Sequence, residues 1–306
     1  MIAVLAPGQG SQTPGMLAEW LELPGAADQI KTWSDIAGLD LARLGTTATA
    51  DEITDTAVTQ PLVVAATLLA NGELVKRGLL AGKKTVVAGH SVGEIAAYAI
   101  AGVISGDDAV KLAAVRGAEM AKACATEPTG MSAILGGDEA EVLARLEALD
   151  LVPANRNAAG QIVAAGAVAA LEKLAEDPPA KARVRQLATA GAFHTHYMAS
   201  ALDGYAAAAA EVVTAEPTTT LLSNADGQPV ASAQDAMEKL VAQLTSPVRW
   251  DLCTETMRQL FDDTEGSAIV ELPPAGTLAG IAKRELRGVA TRAVKTPADL
   301  DGLAEL

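Results

Sequence analysis

The chain is poor in aromatic rings, thiols, histidines and positive charge. Only 3% of its 306 residues are Phe, Trp or Tyr, although half are apolar. Ala, Val and Leu must therefore fill the interior, which suits closely packed helices on a sheet. Trp20, Trp33 and Trp250 read as core. The two cysteines, Cys124 and Cys253, have no paired spacing, so a disulfide framework is excluded and both read as free thiols of a reducing compartment. The net charge of −15 argues against a general nucleic-acid binder or a binder of anionic membranes. An acidic partner would need a local basic patch. No apolar run approaches the ~18–20 residues of a membrane span. The opening Met1-Ile2-Ala3-Val4-Leu5-Ala6 carries no basic leader and meets Pro7-Gly8 at once. It reads as a first strand rather than a signal peptide, and the expected location is cytoplasmic.

What is present is an alternation of strands and helices. A buried strand at 1–6 leads into a Gly/Gln/Ser-rich loop at 7–15. A long apolar helix is expected over 61–79, after Thr59-Gln60-Pro61. The strand Thr85-Val86-Val87-Ala88 then meets a sharp Gly-rich turn and a helix at about 92–101. Asp107 and Asp108 open another helix, to about 124. This rhythm predicts a parallel sheet covered by helices. Near Pro128-Thr129-Gly130 it changes to β-α-β-β-α-β, ending at the strand 181–186, which is a ferredoxin-like pattern. Helices at 197–215 and 233–245 and strands at 219–223 and 267–271 follow. The fold expected is α/β: a large α/β-hydrolase-like subdomain with a parallel sheet (1–127 and 193–306) plus a small ferredoxin-like subdomain (128–192).

The turn between strand and second helix is Gly89-His90-Ser91-Val92-Gly93. Gly-x-Ser-x-Gly in that context puts the serine on a tight, strained bend, because strand and helix pass too close for larger neighbours. The bend lifts the Ser91 hydroxyl out of the sheet. It also sets the serine at a helix N-terminus, where free N–H groups favour negative charge. Ser91 is therefore the candidate nucleophile, and the Val92 N–H a candidate oxyanion donor. A serine hydroxyl needs a base. The chain offers His90, His194 and His196. His90 adjoins Ser91, and adjacent side chains on an elbow diverge, so it is a poor base for its neighbour. His194 and His196, in Phe193-His194-Thr195-His196, remain.

Four motifs occur in order: Pro7-Gly8-Gln9-Gly10-Ser11-Gln12, Gly89-His90-Ser91-Val92-Gly93-Glu94, Arg116-Gly117 with Met120, and Phe193-His194. Over nearly the whole length the chain resembles the malonyl-CoA:acyl carrier protein transacylases and the acyltransferase domains of fatty acid and polyketide synthases. The resemblance implies His194 as base rather than His196, and Gln9 as the second oxyanion donor beside Val92. It implies Arg116 as the ligand of the malonyl carboxylate, and a backbone carbonyl of Gln243 as the group that orients the histidine. Asn157 matches an asparagine lining the cleft, and His90 falls beside the substrate. Phe193 before the histidine resembles the malonyl-selective members, where a bulky ring would crowd a methylmalonyl branch. One segment, Glu271-Leu272-Pro273-Pro274-Ala275-Gly276, departs from the Gly-Pro-Gly common in the family, and a different loop is expected there.

The chemistry implied is ping-pong transfer of a malonyl group from coenzyme A, through malonyl-serine, to the phosphopantetheine thiol of acyl carrier protein. It uses coenzyme A thioester as substrate, with no permanently bound cofactor and no metal. The expected partners are malonyl-CoA and acyl carrier protein, with no nucleic acid or membrane, on a monomer. Lys181, Arg183, Arg185, Arg249, Lys283, Arg284 and Arg287 are candidate carrier-docking charges. The competing readings are a serine esterase or thioesterase, a transacylase preferring methylmalonyl, and a non-catalytic docking subunit.

Overall fold

The computed structural model describes residues 1–262 and 266–306. In chain order these form β1 (Ile2–Ala6), α1 (Ala26–Ala37), α2 (Leu41–Thr46), α3 (Thr56–Lys76), β2 (Thr85–Gly89), α4 (Gly93–Ile100) and α5 (Gly106–Cys124). Next come β3 (Thr129–Gly136), α6 (Glu139–Ala148), β4 (Val152–Ala158), β5 (Gln161–Ala167), α7 (Val168–Glu176) and β6 (Ala182–Gln186). The chain closes with α8 (Leu202–Ala210), β7 (Thr220–Leu222), α9 (Ala233–Ala242), α10 (Trp250–Asp262), β8 (Ala268–Glu271), α11 (Thr277–Glu285) and β9 (Ala290–Ala293).

The first sheet has the order β7-β2-β1-β8-β9, and every pairing in it is parallel. The central strand β1 is buried along its whole length. Its side chains alternate across the pleat. Ile2, Val4 and Ala6 join a core with α3, α4 and α5, whereas Ala3 and Leu5 join a second core with Trp250, Met257, Leu278 and Ile281 of α10 and α11. A strand so apolar on both faces needs helices on both faces, and this is why the sheet is parallel. Trp20, Trp33 and Trp250 are all buried. The second sheet is antiparallel in the order β4-β5-β3-β6. With α6 and α7 packed against it over Val142, Leu146, Leu171 and Leu174, it has the ferredoxin-like arrangement expected from the sequence.

Several element limits differ from the sequence expectation. The long helix starts at Thr56 rather than after Pro61. The Asp55 side chain accepts the Ala57 N–H as its N-cap, and Pro61 sits inside the helix. The lost N–H of Pro61 is outweighed by burial of this helix in the core. By length and composition α3 is also long and apolar enough to cross a membrane, which corrects the expectation that no such run exists; its most apolar stretch is 67% buried inside the protein. The helix expected over 197–215 is a 3₁₀ turn (His196–Ala201) followed by α8, which stops at Ala210. The β-branched Val212-Val213-Thr214 beyond it does not favour continuation. The helix α5 is capped by Ser105, which accepts from the Asp108 N–H with two aspartates in its first turn. Cys124 and Cys253 are unpaired.

In the departing segment, the carboxylate of buried Glu271 accepts N–H bonds from Gly276, Leu278 and Ala279. A side chain from the end of β8 thus caps α11.

Candidate active site

The site lies where parallel strands end, at their C-terminal edge, the usual place for a ligand on such a sheet. β2 ends at Gly89 and α4 begins at Gly93. Ser91 sits between them with φ of 53°. A left-handed conformation at a non-glycine residue costs about 1–2 kcal/mol. The turn is so tight that a Cβ on Gly89 would overlap the Gly93 backbone, and one on Gly93 would overlap the carbonyls of Ala6 and Pro7. Both glycines are therefore demanded by close approach. Gly8, in the loop after β1, comes as near: a Cβ there would lie 2.7 Å from the His90 carbonyl oxygen. This brings Gln9 to the elbow.

Ser91 Oγ lies 2.8 Å from His194 Nε2. His194 is buried and also left-handed, with φ of 61°. Its Nδ1 lies 2.8 Å from the Gln243 carbonyl oxygen. A carbonyl can only accept, so Nδ1 carries the proton and Nε2 is free to accept one from the serine. Burial first, and then the charge of Arg116, hold the His194 imidazole down to about 3, against the pull of the Gln243 carbonyl. His196, the other downstream histidine, is exposed and packs on the Tyr197 ring, with centroids 4.2 Å apart. His90 turns away from the serine. Its Nε2 meets Asn157 Oδ1 at 2.9 Å and its ring packs edge-on against Trp250. Burial lowers its pKa. Asn157 thus ties β4 of the small sheet to the elbow through His90.

Arg116 comes from the middle of α5 and is 1% exposed. Its guanidinium donates to Gln60 Oε1 at 2.9 Å, to Gln243 Oε1 at 2.7 Å and to Ser91 Oγ at 3.5 Å. Neutral amides hold it in place, so its charge is not spent on a carboxylate partner. Glu94 is an acid whose charge acts on this group. Burial pushes its carboxyl up to about 7, against the bonds from Asn224 and Gln243 and the charge of Arg116.

The N–H groups of Gly93, Glu94 and Ile95 bond to the carbonyls of His90, Ser91 and Val92. Among the described residues no acceptor meets the Val92 N–H, which leaves it at the free end of α4, where an oxyanion is favoured. The Gln9 side chain is anchored to Thr56 Oγ1 at 3.2 Å. Phe193 is buried in the core that flanks the site. Among the described residues no cluster of His, Cys, Asp or Glu is grouped as a metal site would be.

The structure brings Ser91, His194, Arg116 and Gln243 together, with Gln9 and Val92 beside them. The sequence reading missed the side-chain amide of Gln243, along with Gln60, Asn224 and Glu94. Glu94 stood in the quoted motif. Gln60 was visible only as a polar residue before a proline, and nothing local marked Asn224.

A parallel α/β sheet with a serine–histidine pair at an elbow beyond its strand ends defines the class of serine acyl-transfer proteins. Within it, the acyl transferase domain family matches residues 4–298, and the chain belongs to that family. It is 81% identical over 95% of its length to all of a Mycolicibacterium smegmatis protein named malonyl CoA-acyl carrier protein transacylase. It superposes on the MCAT crystal structure from Mycobacterium tuberculosis with a TM-score of 0.96 at 76% identity, over 99% of both chains. A malonyl-transacylase, PlMCAT, solved with its type II polyketide acyl carrier protein gives a TM-score of 0.91 at 30% identity, again over 99% of both chains.

Proposed function

We propose that this chain is a malonyl-CoA:acyl carrier protein transacylase with Ser91 as its nucleophile. One observation carries the reading: a buried guanidinium, Arg116, stands against Ser91 Oγ, and among the described residues no carboxylate forms an ion pair with it. The carboxylate of a malonyl group lies two carbon–carbon bonds from the thioester carbon. A carboxylate that close to the reacting atom needs a fixed planar donor, which Arg supplies and Lys does not. The names of the relatives support the same substrate and acceptor.

His194 Nε2 removes the Ser91 proton as Oγ attacks the thioester carbon. The oxyanion is received by the N–H groups of Val92 and Gln9. Loss of one such donor typically costs roughly 100–1,000-fold. The C–S bond breaks, and coenzyme A thiol leaves with the proton from His194. The carrier's pantetheine thiol then enters, gives its proton to His194, and attacks malonyl-serine. Its thioester forms as Ser91 recovers the proton. The orienting carbonyl of Gln243 fixes the imidazole tautomer without adding negative charge, which suits a thiol acceptor already more acidic than water. Coenzyme A enters as substrate, and no step calls for a permanent cofactor.

Phe193 beside the site favours malonyl over a branched methylmalonyl group. The serine esterase reading needs no buried arginine at the nucleophile. The subdomain limits, the monomeric state and the cytoplasmic location belong to the same reading. So does a carrier surface on Lys181, Arg183, Arg185, Lys283, Arg284 and Arg287, all exposed. Arg249 is already engaged by Asp251 through two hydrogen bonds, which makes it the weakest docking candidate.

Mass spectrometry after mixing with malonyl-CoA tests the proposal. A malonyl adduct on Ser91, discharged by carrier thiol faster than by water, is expected. Rapid discharge by water with no transfer to carrier would make the chain an esterase.

A further inference from the structure

β7 stops short of the elbow. Its pairing with β2 runs Val86–Thr220, Val87–Leu221 and Ala88–Leu222. Carried on, that register would place Ser223 opposite Gly89 and Asn224 opposite His90. The main chain of Asn224 does not pair there. Its N–H goes to Glu94 Oε1 at 2.6 Å, and its carbonyl accepts from Arg249 N at 2.8 Å. The side chain takes over the ladder instead. Asn224 Nδ2 donates to the Gly89 carbonyl at 2.7 Å, and Asn224 Oδ1 accepts from Ser91 N–H at 2.8 Å. Bonds to the residues before and after His90 are what a parallel neighbour's peptide would make. The carboxamide works as a detached peptide unit.

We propose that Asn224 is a positioning residue for the nucleophile, and that Glu94 fixes Asn224 in turn. At Ser91 the left-handed turn (φ 53°) directs the half-buried N–H to Asn224 Oδ1. Only an acceptor there lets the serine keep this conformation. Glu94 uses one oxygen for Asn224 N and the other for Gln243 Nε2. Gln243 in turn carries the carbonyl that orients His194 and the amide oxygen that holds Arg116. One buried carboxylate thus references the supports of nucleophile, base and arginine to a common point. The inference rests on Ser91 being the acylated residue.

The test uses Asn224→Ala and the nearly isosteric Asn224→Asp. The aspartate can still accept from Ser91 N–H but cannot donate to Gly89. Malonyl-CoA and acetyl-CoA transfer are followed together with labelling of Ser91 by a fluorophosphonate, all per folded molecule. A misplacement of about 1 Å at a reacting group can cost roughly 100-fold. Asn224→Ala is expected to lose about that much in kcat for both acyl groups, with the KM for malonyl-CoA unchanged and labelling slowed in the same proportion. Asn224→Asp should lose roughly tenfold, as for one hydrogen bond.

Unchanged labelling, or a loss confined to malonyl-CoA, overturns the proposal. So does failure of both variants to fold, which would make Asn224 a purely structural residue. Failure of the unaltered protein to form malonyl-Ser91 would instead overturn the function on which the inference rests.

Discussion

The guanidinium of Arg116 reaches to 3.5 Å from the Oγ of Ser91. In the proposed mechanism, a charge so close to Ser91 selects the acyl groups the serine takes. Two amide oxygens, from Gln60 and Gln243, hold the guanidinium without neutralising it.

Arg116→Ala should therefore separate malonyl from acetyl transfer. Hydrogen bonds to a charged group are worth about 1.5–3 kcal/mol, so kcat/KM for malonyl-CoA should fall roughly 10–150-fold more than for acetyl-CoA. Arg116→Lys should recover only part of the loss, because an ammonium lacks the planar fork. Equal losses for both substrates would remove the carboxylate from the role of Arg116.

The His194 imidazole, held down to about 3 against an ordinary 6.5, stays neutral in mildly acidic solution. Acylation by acetyl-CoA should keep its rate as pH falls through 6.5 and decline only well below it. In Arg116→Ala the neighbouring charge is gone, and the acid limb should move up. The stability contributed by His194 has the matching sign. It is complete above 6.5 and is lost as pH falls from there toward 3, because the unfolded chain binds the proton first. A pH–rate profile with the same limb near 6.5 in both proteins would contradict this.

Gly93→Ala should destabilise the fold. The added methyl meets the carbonyls of Ala6 and Pro7, and overpacking of this kind costs about 1–3 kcal/mol. Thermal unfolding should show a lowered Tm, and malonyl-Ser91 formation should slow as β1 and α4 are pushed apart. A wild-type Tm with wild-type acylation would mean that the elbow is looser than its geometry.

Charge reversal at Arg284 or Arg287 should raise KM for acyl carrier protein and leave KM for malonyl-CoA alone. Arg284 bridges to Gln161 Oε1 at 2.7 Å, joining α11 to the small sheet, so its reversal needs a Tm control. Exposed charge contacts of this kind weaken with salt, and the carrier KM should rise with ionic strength. Equal effects on both substrates would place the docking surface elsewhere.

Much of this architecture is written locally. The apolar run of β1, the glycines that flank Ser91 and the change of rhythm near Pro128 are properties of neighbouring residues, and periodicity and turn chemistry read them directly. The choice of His194 over His196 came from motif resemblance, and burial of one ring with exposure of the other agrees with it. The limits of α3 differ from the sequence expectation because proline is a breaker only where packing does not compensate. Gln60, Gln243, Asn224 and Arg116 lie on α3, the turn after α9, the loop after β7 and α5, far apart in the chain. Their meeting depends on which helices the parallel sheet stacks against one another, and on β7 ending just short of the elbow. A hydrogen bond between side chains so distant in sequence leaves no periodic trace. The sequence by itself determined the tight turn that carries Ser91 and the α/β class. Only the tertiary structure decided which amides hold the arginine, the histidine and the strained serine in register.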